Sequence, residues 1–485
     1  MEGRTLDYII IIAFLIGVAA LGIISGGKQK SVKDYFLGSK NVPWWAVCFS
    51  IVAAETSTLT FISIPGLAYL TNLNFLQVTF GYLIGRIIVA NIFLPAYSKG
   101  DLKTAYSFLE NRFGGKTRSF ASIIFLFTRT AADGVRLFAT AIPLKLMLDI
   151  NYPTAIIIIA LLTLVYTYTG GVKGVIWVDV ILMFIYLGGA IIAAIFILNI
   201  LPEGWTTVTN AAAGADKFSI FNLGFENGIS GFFSQPYTLI GGILGGTFLS
   251  MASHGADQLI VQRLLTTKTL KDSQKAIIGS GIIVIIQFAI FLIVGVMLYA
   301  YYGKIDVKSD EIFPMFIIKV LPPGITGIII AGLFAAAMST LAGSMSSLSS
   351  STMMDLYIPF FGKVDDDKKQ LRISRMFTIM WAALLVTSAI FFMESSRAVV
   401  ELALSIASFT YGGLLGTFLL GILIKKARQE DALAGFVAGI FIMIAVISLK
   451  LVAWTWFTLV GVIATLLIGG LLTALSDRKD KASNE

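Results

Sequence analysis

Apolar segments long enough to cross a lipid bilayer recur along the whole chain, and they leave few ways for it to fold. A helix needs roughly 20 apolar residues to span the hydrocarbon core. Only 13% of the 485 residues are charged, whereas a soluble protein carries about 25%. We therefore predict an all-α polytopic membrane protein. Thirteen transmembrane helices are expected, over residues 6–25, 44–70, 75–98, 118–149, 153–169, 175–201, 236–263, 275–303, 324–350, 371–394, 397–423, 430–449 and 453–474.

The distribution of Lys and Arg orients these spans. Most of the 36 basic residues fall in loops that are cytoplasmic if the N-terminus lies outside, as the positive-inside rule requires. We therefore place the N-terminus outside and the C-terminus in the cytoplasm of a cell (plasma or inner) membrane. The net charge of +8 reflects this topology and requires no nucleic-acid partner. The longest outer segment, 202–230, is expected to carry a short surface helix.

The single Cys and the single His limit the chemistry available. Cys48 excludes a disulfide framework, and together with His254 it leaves no zinc site of the usual kind. The absence of a His, Cys or clustered-carboxylate site argues against an integral-membrane enzyme. We therefore expect no catalytic residues and no organic cofactor, and His254 is interpreted as a packing residue.

Three charged residues of the span 118–149 share one helix face. Arg129, Asp133 and Arg136 are spaced at i, i+4 and i+7. A charge at the bilayer centre costs about 2.5–3.5 kcal/mol, so these residues must be paired or face water. Asp133 can pair with either arginine. Two interpretations stay open: one arginine grips a carboxylate in bidentate geometry, or the triad only packs helices.

Two further charged residues within the predicted spans are interpreted as stabilising the fold rather than as binding a ligand. Asp257 is expected to be structural, since it lies beside Arg263 near the inner end of its span. Arg86 is expected to pair with an acid that the sequence does not identify.

Two spans contain polar runs that packing alone does not explain. Residues 53–60 read AAETSTLT, which places Glu55 and four hydroxyls in an apolar helix, and Ser339-Thr340 is followed by five serines. A small hard cation explains both runs, because it takes hydroxyls and the carbonyls freed by a broken helix. The polarity therefore predicts an unwound segment at 55–57, although no Gly or Pro marks it.

The span 236–263 is interrupted in a similar way, since four glycines within 241–246 precede Thr247, Ser250, Ser253 and His254. It is the fifth span after 44–70, and interrupted spans at matching positions indicate inverted repeats. We predict an N-terminal extra helix and cytoplasmic loop, a first repeat, an outer loop, a second repeat, and two C-terminal helices with a cytoplasmic tail. These segments comprise residues 1–43, 44–201, 202–235, 236–423 and 424–485.

Four segments together resemble the sodium/solute symporter family: GGVKGVIWVDVIL (170–182), DQLIVQRLL (257–265), LFAAAMSTLAGSMSS (333–347) and FLLGILIKKA (418–427). The resemblance covers nearly the full length and extends to the sodium–sialic acid, sodium–proline and sodium–galactose symporters. It implies a LeuT-type fold of two inverted five-helix repeats, alternating access, and Na+ as the coupling ion.

The resemblance also implies residue roles. The sodium site would consist of the backbone carbonyls of Ala53, Thr56 and Ala336 and the hydroxyls of Ser339 and Thr340.

Two acids would have ion-linked roles by the same resemblance. Glu55 stands where sodium–proline symporters have a coupling-linked Asp, and Asp179 matches an Asp that helps a second sodium site in sialic acid symporters. That second site also uses two serines, which are Ala342 and Gly343 here. We therefore expect one sodium per cycle.

The implied substrate contacts come from different branches of the family. The carboxylate-binding Arg of the sialic acid branch aligns with Ala132, whereas Arg136 matches a stretch of the proline branch. The resulting set is Ser57, Thr60, Thr79, Arg129, Arg136, Ser250 and Ser253.

These observations predict a sodium-coupled symporter that imports a small polar organic solute, of the sialic acid, amino acid or monocarboxylate type if the solute is an anion. The protein is expected to work as a monomer. A sodium-coupled sugar or polyol symporter and a proton-coupled carrier using Glu55 and Asp179 are the alternatives. A transport-inactive solute sensor is less favoured, because no signalling domain follows the last span.

Overall fold

The computed structural model describes residues 4–100, 102–148, 150–225, 228–362, 366–394 and 399–484. The first half contains α1 Thr5–Gly26, α2 Val32–Leu37, α3 Trp44–Glu55, α4 Thr58–Leu70, α5 Leu76–Ile88, α6 Leu94–Ser98, α7 Tyr106–Phe113, α8 Gly115–Leu148, α9 Tyr152–Ile200 and α10 Trp205–Ala213. The second half contains α11 Gly228–Ser234, α12 Leu239–Met251, α13 Gln258–Leu264, α14 Leu270–Tyr302, α15 Ser309–Lys319, α16 Ile325–Ser351, α17 Ile358–Phe361, α18 Asp367–Phe391, α19 Val399–Leu423, α20 Gln429–Ser448 and α21 Phe457–Asn484.

By length and apolar composition, eight helices of the described residues can cross a membrane, and nine spans result if α3 and the following helix count as one bent span. The predicted number of thirteen is therefore not confirmed. One reason is α9, a continuous 49-residue helix that runs through the predicted spans 153–169 and 175–201 and kinks at Gly171, where φ is +57°. The predicted span end at 149 and the start at 397 lie outside the described residues.

The segment between α9 and α12 carries the short helix that was expected there, α10. The buried Lys217 fastens this segment to the end of α4, because its ammonium donates to the carbonyl oxygens of Tyr69 at 2.6 Å and Thr71 at 2.8 Å. Burial lowers the pKa of the Lys217 ammonium. Cations are favoured at a helix C-terminus, so the contact stabilises the end of α4 and holds the segment that contains Lys217 in place.

Helix α1 shows how the chain divides its apolar surface between lipid and protein. Ile16 and Ile24 are 64% and 78% exposed, as suits side chains that face hydrocarbon. On the opposite side, a Cβ added at Gly26 would lie 2.2 Å from the Cα of Gly170 in α9. The two backbones therefore cross in direct contact, which small residues permit.

This crossing gives a stability prediction. Gly26→Ala will lower the thermal unfolding midpoint of the purified protein, because overpacking of a close contact costs about 1–3 kcal/mol. Gly17→Ala is the matched control, since Gly17 lies in the same helix and a Cβ there meets nothing within 4 Å. Equal midpoints for the two variants would contradict the close crossing.

The glycines of α12 have a packing role, and the break in this span comes after them. A Cβ added at Gly246 would lie 2.3 Å from the carbonyl oxygen of Val78 in α5. The helix widens to a π-type turn over Ala252–Ala256 and is interrupted at Asp257, where φ is −85° and ψ is 126°. The sequence thus identified the interrupted span, whereas the glycines mark its contact with α5.

Candidate functional site

The first break lies at Thr56 and Ser57, between α3 and α4. Both residues are extended, with ψ of 96° and 169°, and the axes of Trp44–Glu55 and Thr60–Leu70 differ by 61°. The unwound segment that polarity predicted is therefore present. A helix end leaves backbone carbonyls without intrahelical partners. Such carbonyls are the ligands that a small hard cation requires.

Hydroxyls hold this break against neighbouring helices. The Thr56 hydroxyl donates to the carbonyl of Val52 at 2.8 Å and accepts from the amide of Gln287 at 2.6 Å. The Thr58 hydroxyl donates to the carbonyl of Leu333 in α16 at 3.3 Å. The break and the serine-rich helix α16 are thus in contact.

The predicted sodium ligands are all buried on these two elements. In α16, the Ser339 hydroxyl donates to Asp179 Oδ1 at 2.5 Å, and the Thr340 hydroxyl donates to the carbonyl of Ala336 at 3.2 Å. Each hydroxyl has one proton and two lone pairs, so committing the proton elsewhere leaves the oxygen free to face a cation. Ala53 and Thr56 are 0% and 1% exposed.

Asp179 is held by a guanidinium as well as by hydroxyls. Arg263 Nη2 lies 3.0 Å from Asp179 Oδ2, and the Ser50 hydroxyl donates to the same oxygen at 2.5 Å. A Cβ added at Gly343 would come within 2.6 Å of Arg263 Nη2. The guanidinium therefore fills the space beside Asp179 that larger residues at this position of α16 would occupy.

The charged triad of α8 is fully assembled. Asp133 Oδ2 accepts from Arg129 Nε at 2.6 Å, and Asp133 Oδ1 accepts from Arg136 Nη1 at 2.9 Å. The Ser344 hydroxyl of α16 also donates to Asp133. The predicted pairing of Asp133 with either arginine is confirmed, and in fact it binds both.

Asp257 belongs to the same cluster, which corrects the interpretation that placed it with Arg263. Its Oδ2 lies 3.1 Å from Arg129 Nη1 and accepts from the Tyr411 hydroxyl at 2.6 Å. Its Oδ1 accepts from the backbone of Leu259 at 2.8 Å and so caps α13. Arg129 therefore has two acidic partners, and the two arginines and two aspartates of the cluster balance in charge.

A second buried cluster surrounds Glu55. Its Oε2 accepts from Arg86, which is the partner that the sequence did not identify, and the side chain of Arg86 is 0% exposed. His254 Nε2 lies 3.7 Å from the same oxygen. The Glu55 side chain is 19% exposed.

These clusters border one cavity of about 140 Å³ between the two broken helices. Its lining includes the predicted residues Glu55, Ser57, Thr60, Arg129, Arg136 and Ser253. Aromatic and aliphatic side chains complete the wall, among them Phe75, Tyr82, Phe288 and Tyr411. An apolar cavity with a few convergent polar groups is the usual form of a small-molecule site.

A smaller cavity of about 10 Å³ lies next to it. Ser57 and Arg136 line both cavities, and Thr340 lines the smaller one. The residues predicted for sodium and those predicted for the solute are therefore neighbours at the first break.

Two predicted substrate contacts do not line the larger cavity. The Thr79 hydroxyl is buried and donates to the carbonyl of Leu76 at 2.8 Å. Ser250 is buried against α5, since a Cβ added at Gly85 would lie 2.8 Å from the Cβ of Ser250.

The cavity also contains residues that the sequence interpretation did not assign to it. His254 lines the cavity, although it was interpreted as a packing residue, and so does Tyr411. For His254, its position in the interrupted span next to Ser253 was an available signal. For Tyr411 the sequence offered none, because its partner Asp257 lies 154 residues away.

A cavity with a few convergent polar groups, which lies between two broken membrane helices and next to hydroxyls and carbonyls suited to a small cation, is typical of a membrane carrier. Residues 35–439 match the sodium:solute symporter family. The chain belongs to this family, as the four sequence segments implied.

Individual relatives agree with this assignment. The chain is 29% identical over 491 residues to the sodium/sialic acid symporter NanT of Aliivibrio fischeri, covering 99% of this chain and 95% of that protein. It is 27% identical to human sodium-coupled monocarboxylate transporter 1, covering 89% and 72%. The substrate-bound outward-open structure of a Na+-coupled sialic acid symporter superposes with a TM-score of 0.89 and 27% identity, covering 97% and 98%.

Proposed function

We propose that this protein imports a small organic carboxylate together with Na+ and works as a monomer. The observation that carries the proposal is Arg136, whose side chain is 22% exposed and lines the cavity while one of its nitrogens binds Asp133. A guanidinium has five donors in a planar fork, so a carboxylate in the cavity can be bound by the remaining ones. Relatives named as sialic acid and monocarboxylate transporters support this substrate class.

The proposed architecture has thirteen transmembrane helices with the N-terminus outside and the C-terminus in the cytoplasm of the inner or plasma membrane. The kink at Gly171 divides α9 into two spans, and α12 with α13 forms one broken span. Two inverted five-helix repeats would comprise 44–201 and 236–423, with 1–43, 202–235 and 424–485 before, between and after them.

Sodium would bind the carbonyls of Ala53, Thr56 and Ala336 and the hydroxyls of Ser339 and Thr340. Glu55 and Asp179 would influence sodium binding indirectly, by holding the elements around the sodium site. We propose one sodium per cycle, because Arg263 supplies a fixed positive charge beside Asp179 where Gly343 leaves room for it.

One sodium per cycle has an electrical consequence. A monovalent anion carried with one Na+ moves no net charge, whereas a neutral solute carried with one Na+ moves one. Each net charge is driven by about 2.3 kcal/mol per 100 mV, roughly 50-fold in accumulation. An inside-negative potential should therefore leave the uptake of a monovalent anion nearly unchanged and should increase the uptake of a neutral solute.

The test is uptake into proteoliposomes of sialic acid, L-proline, a monocarboxylate (pyruvate), D-galactose and myo-inositol. Each is measured with an inward sodium gradient and with choline in place of sodium, with and without a potassium diffusion potential. We expect sodium-dependent accumulation of a carboxylate. Uptake of an anion such as sialic acid or pyruvate should change little with the potential, whereas uptake of L-proline, a zwitterion without net charge, should increase with an inside-negative potential. Accumulation of galactose or inositol alone would contradict the carboxylate assignment and favour the sugar or polyol alternative, for which the cavity hydroxyls of Ser57, Thr60 and Ser253 are suited. Uptake that survives replacement of sodium would favour a proton-coupled carrier.

A further inference from the structure

His254 lies in the π-type turn of the second broken span, at the wall of the cavity that also contains Arg136. The residue is 2% exposed, and its Nε2 has no hydrogen-bond partner among the described residues. This nitrogen lies 3.7 Å from Glu55 Oε2, which is beyond hydrogen-bond distance. A buried polar atom without a partner costs about 1–3 kcal/mol, so its position at a cavity needs an explanation.

The contacts of the neighbouring hydroxyl are the basis on which we assign the tautomer of the imidazole. Ser253 has one hydroxyl proton, and its oxygen lies 3.0 Å from the carbonyl of Leu249, four residues earlier. The same oxygen lies 2.8 Å from His254 Nδ1. With its proton given to the carbonyl, Ser253 accepts from Nδ1–H. The neutral imidazole then has its lone pair on Nε2.

In this tautomer the cavity contains two acceptors that face each other, Nε2 of His254 and the carboxylate of Glu55. Arg86, which is fully buried, donates to Glu55 Oε2 and neutralises its charge. It donates no hydrogen bond to His254 Nε2. Two opposed acceptors are favourable only when a hydrogen donor lies between them. The exposed part of Glu55 faces the cavity, so the donor can come from a bound solute.

We propose that Glu55 and His254 form a subsite that accepts hydrogen bonds from a hydroxyl or ammonium group of the transported solute. The inference rests on the proposed function and restricts the class of carboxylates that the protein would carry. Arg136 binds the carboxylate of the solute, and the Glu55–His254 pair binds a donor group of the same solute in the same cavity. The substrate class is then a hydroxy acid or an amino acid, and a simple fatty or keto acid lacks the second contact.

The experiment compares binding of two solutes of similar shape, one with the donor group and one without it. The pair follows the carboxylate that the uptake panel identifies: L-lactate with propionate, L-proline with cyclopentanecarboxylate, or N-acetylneuraminate with its monodeoxy analogues. Affinities are measured from thermal stabilisation of the purified full chain in sodium buffer. Because a hydrogen bond to a charged group contributes about 1.5–3 kcal/mol, we expect the donor-bearing solute to bind at least about tenfold more tightly.

In His254→Phe this ratio should fall by about threefold, because the variant loses one neutral hydrogen bond of about 0.5–1.5 kcal/mol and keeps Glu55, and His254→Gln should restore part of it through its amide oxygen. The ratio is taken within one variant, so a reduced yield of folded protein does not affect it. Ser63→Ala is the control, because the Ser63 hydroxyl is buried without a partner among the described residues and does not line the cavity.

A wild-type ratio within threefold, or a ratio unchanged in His254→Phe, would overturn the subsite. The former result would also follow if an extra proton on Nε2 satisfied the pair without a solute. Failure of the proposed function would look different, since no carboxylate of the uptake panel would then be transported with sodium.

Discussion

Replacing Ser339 and Thr340 together by alanine will raise the sodium concentration for half-maximal uptake by about 100-fold. Each substitution would remove one hydroxyl that coordinates the cation, and we take as the scale for such a contact a hydrogen bond to a charged group, about 1.5–3 kcal/mol. The fold should tolerate the change, because Asp179 keeps the hydroxyl of Ser50 and the guanidinium of Arg263. The measurement is initial uptake as a function of sodium concentration in proteoliposomes.

Ser347→Ala provides the matched control in the same helix. Ser347 is equally buried, and its hydroxyl donates only to the carbonyl of Ser344, at 3.3 Å. This variant should keep the wild-type sodium dependence. The sodium site would be refuted by a double variant whose apparent sodium affinity equals that of the control.

Arg136→Ala and Arg129→Ala will impair different properties: the first should lower the affinity for the solute, and the second should lower the stability of the protein. Removing Arg136 leaves Asp133 with Arg129 and Ser344, so the protein should fold normally and lose at least about tenfold in affinity for its carboxylate. Removing Arg129 leaves Asp257 without its cationic partner and weakens the neutralisation of Asp133. Breaking a buried ion pair costs about 3–5 kcal/mol, so this variant should unfold at a lower temperature.

The two measurements are the thermal unfolding midpoint and sodium-driven uptake of the carboxylate that the wild type transports. Arg136→Lys is informative beside them, because an ammonium keeps the charge but not the planar fork, so it should recover affinity only in part. If Arg136→Ala transports this solute with unchanged affinity, Arg136 does not bind the carboxylate, and the cluster only packs helices.

Local spacing predicted the contacts that lie within one helix. Asp133 binds Arg129 and Arg136 because residues three and four apart are neighbours on a helix surface. The break after Glu55 was also predictable, because an acid and hydroxyls in an apolar span have no packing explanation. Both features depend on a short stretch of sequence.

Ion pairs between different helices could not be predicted from local spacing. Asp257 binds Arg129 across 128 residues of sequence, and Arg86 binds Glu55 across 31. Which of several intramembrane acids neutralises which arginine depends on how the spans pack. The nearest charge along the chain is a poor guide, as the earlier assignment of Asp257 to Arg263 shows.

The hydropathy criterion finds only eight or nine spans among the described residues, because some of the remaining helices are not uniformly apolar. Hydropathy identifies long apolar helices, but α8 carries a buried ion cluster and α12 ends at a break after 13 residues. Spans that hold a functional site violate the rule used to find spans, because a polar site interrupts an apolar helix.

Ser57 borders both the larger and the smaller cavity, so one unwound segment would face both of the ligands that we propose. If sodium binding orders this segment and thereby improves the solute site by some factor, thermodynamic linkage requires the solute to improve sodium binding by the same factor. The equality holds whatever route the energy takes through the protein. Two titrations at equilibrium, each ligand with and without the other, must therefore give a single coupling free energy.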